Sequence, residues 1–259
     1  MLLHPEGDRE WRALIRPARQ VRVGDSMRLC IGNGRNVCAE VSGLTEDGGR
    51  ILRFANQAER DIVGFAGEAP LPPYIHSRLN DEERYQTVYS HSPGSAAAPT
   101  AGLHFTEAML ARCGNSGVGL ARITLHIGVD TFRPIRVSDL DDHKMHGEWV
   151  SISEADAAKI HATHGRVVAV GTTTVRALES AAAGPRTVTA FRGKSCLFIK
   201  PGFDFRVVDC LLTNFHLPKS TLLALVSALA GRNAVLEAYR QAVALRYRFY
   251  SFGDAMLII

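Results

Sequence analysis

No two cysteines in this 259-residue sequence stand in a C-x-x-C spacing: Cys30, Cys38, Cys113, Cys196 and Cys210 are odd in number and widely separated. That argues against a disulfide framework and against an iron–sulfur or zinc cluster. Most of the five have apolar neighbours, so buried, inert thiols are expected. The start, Met1-Leu2-Leu3-His4-Pro5-Glu6, lacks the basic-then-apolar order of a secretory leader. Long apolar runs are missing as well. The longest, 222–230, is interrupted by Ser227 and fits a core helix better than a membrane span. There is no G-x-S-x-G elbow, no P-loop and no G-x-G-x-x-G turn, which argues against serine hydrolases, NTPases and the usual dinucleotide enzymes. Internal repeats and low-complexity tracts are absent too. The expectation is a soluble, cytoplasmic protein in reducing surroundings, without membrane contact.

What is present suits an enzyme. The length allows one large domain or two unequal ones. A net charge of +4 and a pI near 8.9 fall just short of the usual mark of a nucleic-acid binder. Residues 1–68 contain ten Arg, no Lys and ten acidic residues, so the excess positive charge lies beyond them. A polyanion would therefore meet the larger C-terminal part.

Turn signals at Gly24-Asp25, Gly32-Asn33-Gly34 and Glu46-Asp47-Gly48-Gly49 separate short apolar runs at 11–16, 26–31, 36–41 and 50–54. That spacing predicts an antiparallel sheet or small barrel, followed by a helix over 57–66 and a stiff Pro-rich linker over 70–74. The pattern then alternates. Strands are predicted at 118–127, 167–170, 196–199, 207–211 and 256–258. Helices are predicted at 107–112, 153–164, 173–183, 220–230 and 234–246, the second opened by the capping residues Ser153 and Asp156. The fold class expected is α/β: a mixed α/β catalytic body over 69–259 with a small antiparallel β-barrel-like domain over 1–68.

Five polar patches marked by Gly or Pro stand at element junctions and suggest one composite site built from loops. They are 97–106, 126–134, 143–149, 171–176 and 212–218. Gly171-Thr172-Thr173-Thr174-Val175-Arg176 follows a β-branched strand, so its N–H groups and hydroxyls could be aimed at an anion. The plainer alternative is N-capping by Thr172 or Thr173. Arg176 could pair with a phosphate or carboxylate, or with Glu179 one turn on. His143, His146 and Glu148 look like metal ligands, but neither the H-E-x-x-H order nor a third ligand at a known spacing supports this, and no metal is expected. Acid–base or hydrogen-bonding histidines are the better reading, with His104 and His126 also open to being satisfied core residues. Tyr239-Arg240 and Arg246-Tyr247-Arg248-Phe249-Tyr250 mix cations and aromatics. They suit stacking on RNA bases, or equally a helix with core aromatics and solvated arginines.

Jointly these motifs are specific. Ala98-Pro99-Thr100-Ala101-Gly102-Leu103-His104-Phe105-Thr106, Thr124-Leu125-His126-Ile127-Gly128, Thr131-Phe132-Arg133-Pro134, His143-Lys144-Met145-His146, Gly171-Thr172-Thr173, Leu211-Leu212-Thr213-Asn214-Phe215-His216-Leu217-Pro218 and Tyr250-Ser251-Phe252-Gly253-Asp254-Ala255-Met256-Leu257-Ile258 closely resemble the S-adenosylmethionine:tRNA ribosyltransferase-isomerases. The resemblance runs from about Trp11 to the end. It implies an α/β body carrying a small β-barrel, and a step of queuosine biosynthesis. The ribosyl part of S-adenosylmethionine would be joined to 7-aminomethyl-7-deazaguanine at the wobble position of tRNA with a GUN anticodon. Epoxyqueuosine-tRNA would form, with adenine and methionine released. S-adenosylmethionine would be a ribosyl donor, no metal would take part, and a monomer is expected.

On that resemblance, His104, His126, His146, Asp130 and Glu148 are candidate catalytic residues. Thr100, Arg133, Thr172, Thr173, Arg176, Asn214, His216 and Asp254 are candidate substrate-binding residues. A histidine would supply the acid for adenine departure, and a carboxylate would steady the sulfonium or the substrate amine. Two departures from the family pattern stand out. An N-terminal segment with an Asn-Asp-Thr-Arg-like motif has no counterpart here, and Val129 and Asp130 replace Ala and Gly. The alternative expectation is thus a truncated member, weakly active or inactive, that binds tRNA or S-adenosylmethionine. Such a chain should be less stable than a full-length member.

Overall fold

The computed structural model describes residues 2–15, 17–31, 35–45, 48–65, 71–72, 74–75, 79, 81–92, 94–128, 135–143, 145 and 147–259. The chain divides into two compact units, Met1–Pro70 and Leu71–Ile259. In the first, β1 (Leu2–Glu6), β2 (Glu10–Ala13), β3 (Ser26–Cys30), β4 (Asn36–Leu44) and β5 (Arg50–Phe54) form an antiparallel half-barrel sheet in the order β1-β2-β5-β4-β3. Alternation explains it. Val37, Ala39 and Val41 of β4 point inward with Leu52 and Phe54 of β5, and α1 (Gln57–Phe65) adds Val63 to that core. β1 has no precedent in the turn signals. The Arg-rich character of this unit is partly structural: the Arg50 guanidinium donates to the carbonyls of Val21, Gly48, Gly49 and Ala18. Pro70 and Pro73 of the expected linker lie outside the described residues.

The second unit alternates helices and strands, with α2 (Glu107–Asn115), β6 (Thr124–His126), β7 (Glu148–Ile152), α3 (Glu154–His161), β8 (Val168–Val170), α4 (Thr172–Ser180), β9 (Ala182–Gly184), β10 (Thr187–Val188), β11 (Phe191–Ser195), β12 (Cys210–Asn214), α5 (Thr221–Ala230), α6 (Arg232–Ala244) and β13 (Ala255–Ile258). The sheets are β11-β7-β6, antiparallel, β13-β12-β8, in which β12 runs parallel to β8, and the antiparallel pair β9-β10. Val150, Ala169, Val175, Leu178, Leu211, Leu225 and Val226 form the core between these strands and α3 to α6.

Several sequence expectations move. The strand expected over 118–127 shrinks to three residues, because β7 pairs only with Thr124, Leu125 and His126. The strand expected at 196–199 lies just upstream, where Phe191–Ser195 pairs with β7. The strand expected at 207–211 starts later, because Val207 and Val208 donate their N–H groups to Glu179 and so leave the ladder. Of the cysteines, Cys210 is buried, while Cys30, Cys38 and Cys196 are exposed and Cys113 is half-buried. Apolar neighbours in sequence misled here. In a strand, adjacent residues face opposite ways, and Cys38 sits between the inward Val37 and Ala39. Ser153 does cap α3, accepting from the Asp156 N–H at 3.1 Å.

Candidate active site

β8 and β12 run side by side in the same direction, so their carboxyl ends open at one place, where ligands of open α/β sheets usually bind. Gly171, just past β8, donates its N–H to Leu212 of β12 at 2.9 Å. Its φ of +93° is a turn that glycine adopts without strain, and it sends the chain straight into α4. Asn214 ends β12 and is followed by Phe215, His216, Leu217 and Pro218. A short 3-10 turn, Thr100–His104, packs on β12. These pieces enclose a cavity of about 280 Å³. Its wall includes Thr100, Thr172, Thr173, Thr213, Asn214 and His216, with Ile127, Leu217 and Leu222 among its apolar members. No Asp, Glu, Lys or Arg stands among the described wall residues.

One hydrogen-bond chain organises the polar side. Thr100 Oγ1 donates to Asn214 Oδ1 at 3.1 Å, and Asn214 Nδ2 donates to the Gly253 carbonyl at 3.4 Å and meets His104 Nε2 at 3.1 Å. A carbonyl only accepts, so the Gly253 contact fixes which end of the amide is nitrogen. Asn214 is 2% exposed, and its amide links three separate segments. His216 is held differently. Its Nε2 lies 2.8 Å from Thr213 Oγ1, its N–H donates to the Tyr239 hydroxyl, and burial pushes its pKa down to about 4. It is a neutral imidazole at physiological pH.

The structure brings Thr100, Thr172, Thr173, Asn214 and His216 to this cavity, with His104 directly behind Asn214. It does not bring Arg176 or Glu148 to the wall. Arg176 Nη1 meets Glu148 Oε2 at 2.9 Å, with the two side chains 4% and 5% exposed. The same guanidinium donates to the carbonyls of Leu197 and Ser195. The reason is helical phase: Arg176 faces the α4 side that packs against the β7-β11 strands, away from the open end of the helix. Glu179, the partner suggested by its spacing, instead accepts from the N–H groups of Arg206, Val207 and Val208.

Other expected site residues stand off the wall. His126 stacks on Trp149 with centroids 5.0 Å apart, and its Nδ1 is buried without a hydrogen-bond partner among the described residues. Arg192 lies 5.7 Å over the same Trp149 ring. Asp254 accepts from the Arg248 guanidinium and the Arg248 N–H, each at 2.7 Å, and these bonds hold its carboxyl below the ordinary range. Asp130, Arg133 and His146 lie outside the described residues. His143 packs on Phe198 at 5.1 Å. Among the described residues no three His, Cys, Asp or Glu side chains gather as metal ligands would.

Near the C-terminus the plainer reading holds only in part: α6 ends at Ala244 before the 246–250 rings, which are half-buried apart from Tyr247, 46% exposed. Phe215, Tyr239 and Phe249 pack on one another, while Arg240 is on the surface beside Glu237. Capping by the threonines does not hold. Gly171 is the N-cap of α4, so Thr172 and Thr173 lie inside its first turn and neither caps it. Sequence reasoning missed Tyr74, Thr213, Ser220, Tyr250 and Ser251 as wall residues. The Tyr74 hydroxyl meets Ser251 Oγ at 2.7 Å, and Tyr250 has a φ of +71°, a strained conformation for a non-glycine residue. Tyr250 and Ser251 open the last of the quoted motifs, which was the available signal.

The family model described as queuosine biosynthesis protein matches residues 1–258. The S-adenosylmethionine:tRNA ribosyltransferase-isomerase of Symbiobacterium thermophilum is 51% identical over 264 residues, covering 100% of this chain and 76% of the relative. The enzyme of the same name from Halothermothrix orenii is 49% identical, covering 96% of this chain and 73% of the relative. The crystal structure of the S-adenosylmethionine tRNA ribosyltransferase of Thermotoga maritima is 36% identical, with a TM-score of 0.51, covering all of this chain and 73% of that one. With a family match from end to end and relatives near 50% identity, this chain belongs to the queuosine biosynthesis protein family.

Proposed function

We propose that this chain transfers and isomerises the ribosyl group of S-adenosylmethionine onto 7-aminomethyl-7-deazaguanine at the tRNA wobble position, giving epoxyqueuosine-tRNA with release of adenine and methionine. The observation that carries this reading is the identity of about 50% to relatives that bear the enzyme's name across the whole of this chain. The same identity favours a working enzyme over a binder without turnover.

The sulfonium already acidifies the ribose C5′ protons and makes methionine a good leaving group. Adenine then needs a proton as it leaves C1′. His104, whose Nε2 meets the Asn214 amide, is the candidate for that role, the proton coming from its doubly protonated ring. His126, His146, Asp130 and Glu148 are the other groups first considered for proton transfer or charge. The buried pairing of Glu148 with Arg176 favours reading those two as supports of the frame. Thr100, Asn214 and His216 would orient the substrate, with Arg133 and Asp254 as further contacts. The tRNA partner would carry a GUN anticodon, and the chain would act as a cytoplasmic monomer without a metal.

The test is incubation of the purified chain with S-adenosylmethionine and tRNA bearing 7-aminomethyl-7-deazaguanine. Adenine release and the mass of the modified nucleoside are followed together. Both should appear in equal amounts; neither appearing, beside an active relative, would overturn the reading.

A further inference from the structure

The first turn of α4 is open toward the cavity. Gly171 has no side chain with which to cap it, and the leading N–H groups of a helix have no partner within it. A second observation points to a ligand there. Thr172 and Thr173 line the cavity, are 6% and 7% exposed, and their hydroxyls have no hydrogen-bond partner among the described residues. Thr174, next in line, shows the ordinary solution, donating Oγ1 to the Val170 carbonyl at 2.7 Å. The two side chains are nine-tenths buried and their hydroxyls open only on the cavity, so the cavity is where a partner for them would sit.

The chemistry of that something follows from the surroundings. Two hydroxyls and the first-turn N–H groups are a cluster of donors, which calls for an acceptor with several lone pairs. The helix end contributes a partial positive charge of about half a unit, which favours an anion. The described wall offers no carboxylate for a cation, and the imidazole of His216 is neutral. Nor does it offer a Lys or Arg, which a phosphate would ordinarily find. S-adenosylmethionine carries three charged groups: an ammonium, a sulfonium and one carboxylate. Only the carboxylate suits this pole.

We propose that the open end of α4 binds the α-carboxylate of the methionyl half of the donor, through the Thr172 and Thr173 hydroxyls and the first-turn N–H groups. The anchor for the amino-acid half is then a helix end and two threonines, and Arg176 takes no part in it. This inference rests on the donor reading above. It adds where the methionyl end lies and which residues hold it.

The experiment compares binding of S-adenosylmethionine with that of its decarboxylated analogue, in which hydrogen replaces the carboxylate, with saturating tRNA present. Native protein, Thr172→Val and Thr173→Val are measured. Native protein should bind the donor roughly tenfold or more tightly than the analogue, the usual weight of a hydrogen bond to a charged group. The valine variants should lose most of that preference by weakening the donor alone. Their melting temperatures should hold, since each hydroxyl makes no hydrogen bond to the described protein, which separates a ligand role from a structural one. Equal weakening of donor and analogue would overturn the proposal, as would a native protein indifferent to the carboxylate. If adenine release and tRNA modification persist in either case, the proposed function stands and only the carboxylate assignment falls. If the native chain binds neither compound and modifies no tRNA, the donor reading fails and this inference goes with it.

Discussion

Replacing Glu148 by Ala would take from the buried Arg176 guanidinium the carboxylate that faces it. The pair is 2.9 Å apart at 4% and 5% exposure, so solvent cannot step in for the lost carboxylate. The Leu197 and Ser195 carbonyls, at 3.0 and 3.4 Å, offer partial charges only. Removing one partner from such a pair costs about 3–5 kcal/mol. For a chain of this size each kcal/mol lowers the melting temperature by about 2–4 °C, so a fall of roughly 6–20 °C is expected by calorimetry. The double variant Glu148→Leu/Arg176→Met, apolar and of similar volume, should recover much of that loss, because neither member of the pair is left facing an empty place. Glu148→Gln separates structure from chemistry. If Glu148 supports the frame, this variant should melt low yet keep turnover within a few-fold, measured well below its transition. Melting within about 1 °C of native together with a hundredfold loss of turnover would refute the reasoning and return Glu148 to the catalytic role first expected of it.

Asn214→Ala should lower stability by about 1–3 kcal/mol by urea unfolding, since Thr100, His104 and Gly253 all lose their partner, and turnover should fall with it. His216 sets an acid limb. Its folded pKa of about 4 lies below the usual 6.5, so the unfolded state takes up the proton first as pH falls. Stability is therefore full above pH 6.5 and declines by about 1.4 kcal/mol per pH unit toward pH 4, at most about 3 kcal/mol in all. His216→Gln should flatten that decline in urea titrations between pH 4 and 8. Arg246 follows α6 at a φ of +59° where glycine is the favoured residue, and the Tyr247 N–H closes back to the Ala242 carbonyl at 2.9 Å. Arg246→Gly should raise stability by about 0.5–1 kcal/mol, and any loss by thermal melting would contradict this account.

The sequence alone determined those features that depend on neighbours along the chain. Turn residues between alternating runs predicted an antiparallel sheet or small barrel, with the 50–54 strand in place, because pleat and turn chemistry are both local. Ser153 and Ser220 marked helix starts for the same reason. The motif set resembled one family, and at Thr100, Thr172, Thr173, Asn214 and His216 it named residues that do share one wall. Tertiary structure decided what depends on partners distant in sequence. Nothing near Arg176 in the chain announces that Glu148, 28 positions away, will meet it in the core. The choice between a capping and an open α4 depended on a single residue's dihedral at Gly171. Tyr74 reached the wall through Ser251, 177 positions on, a contact that no local pattern could encode. Local interactions act over a few residues and leave a trace in composition and spacing. Burial and pairing arise only when strands and helices pack, and there β8 and β12, lying parallel, turned separate motifs into one cavity.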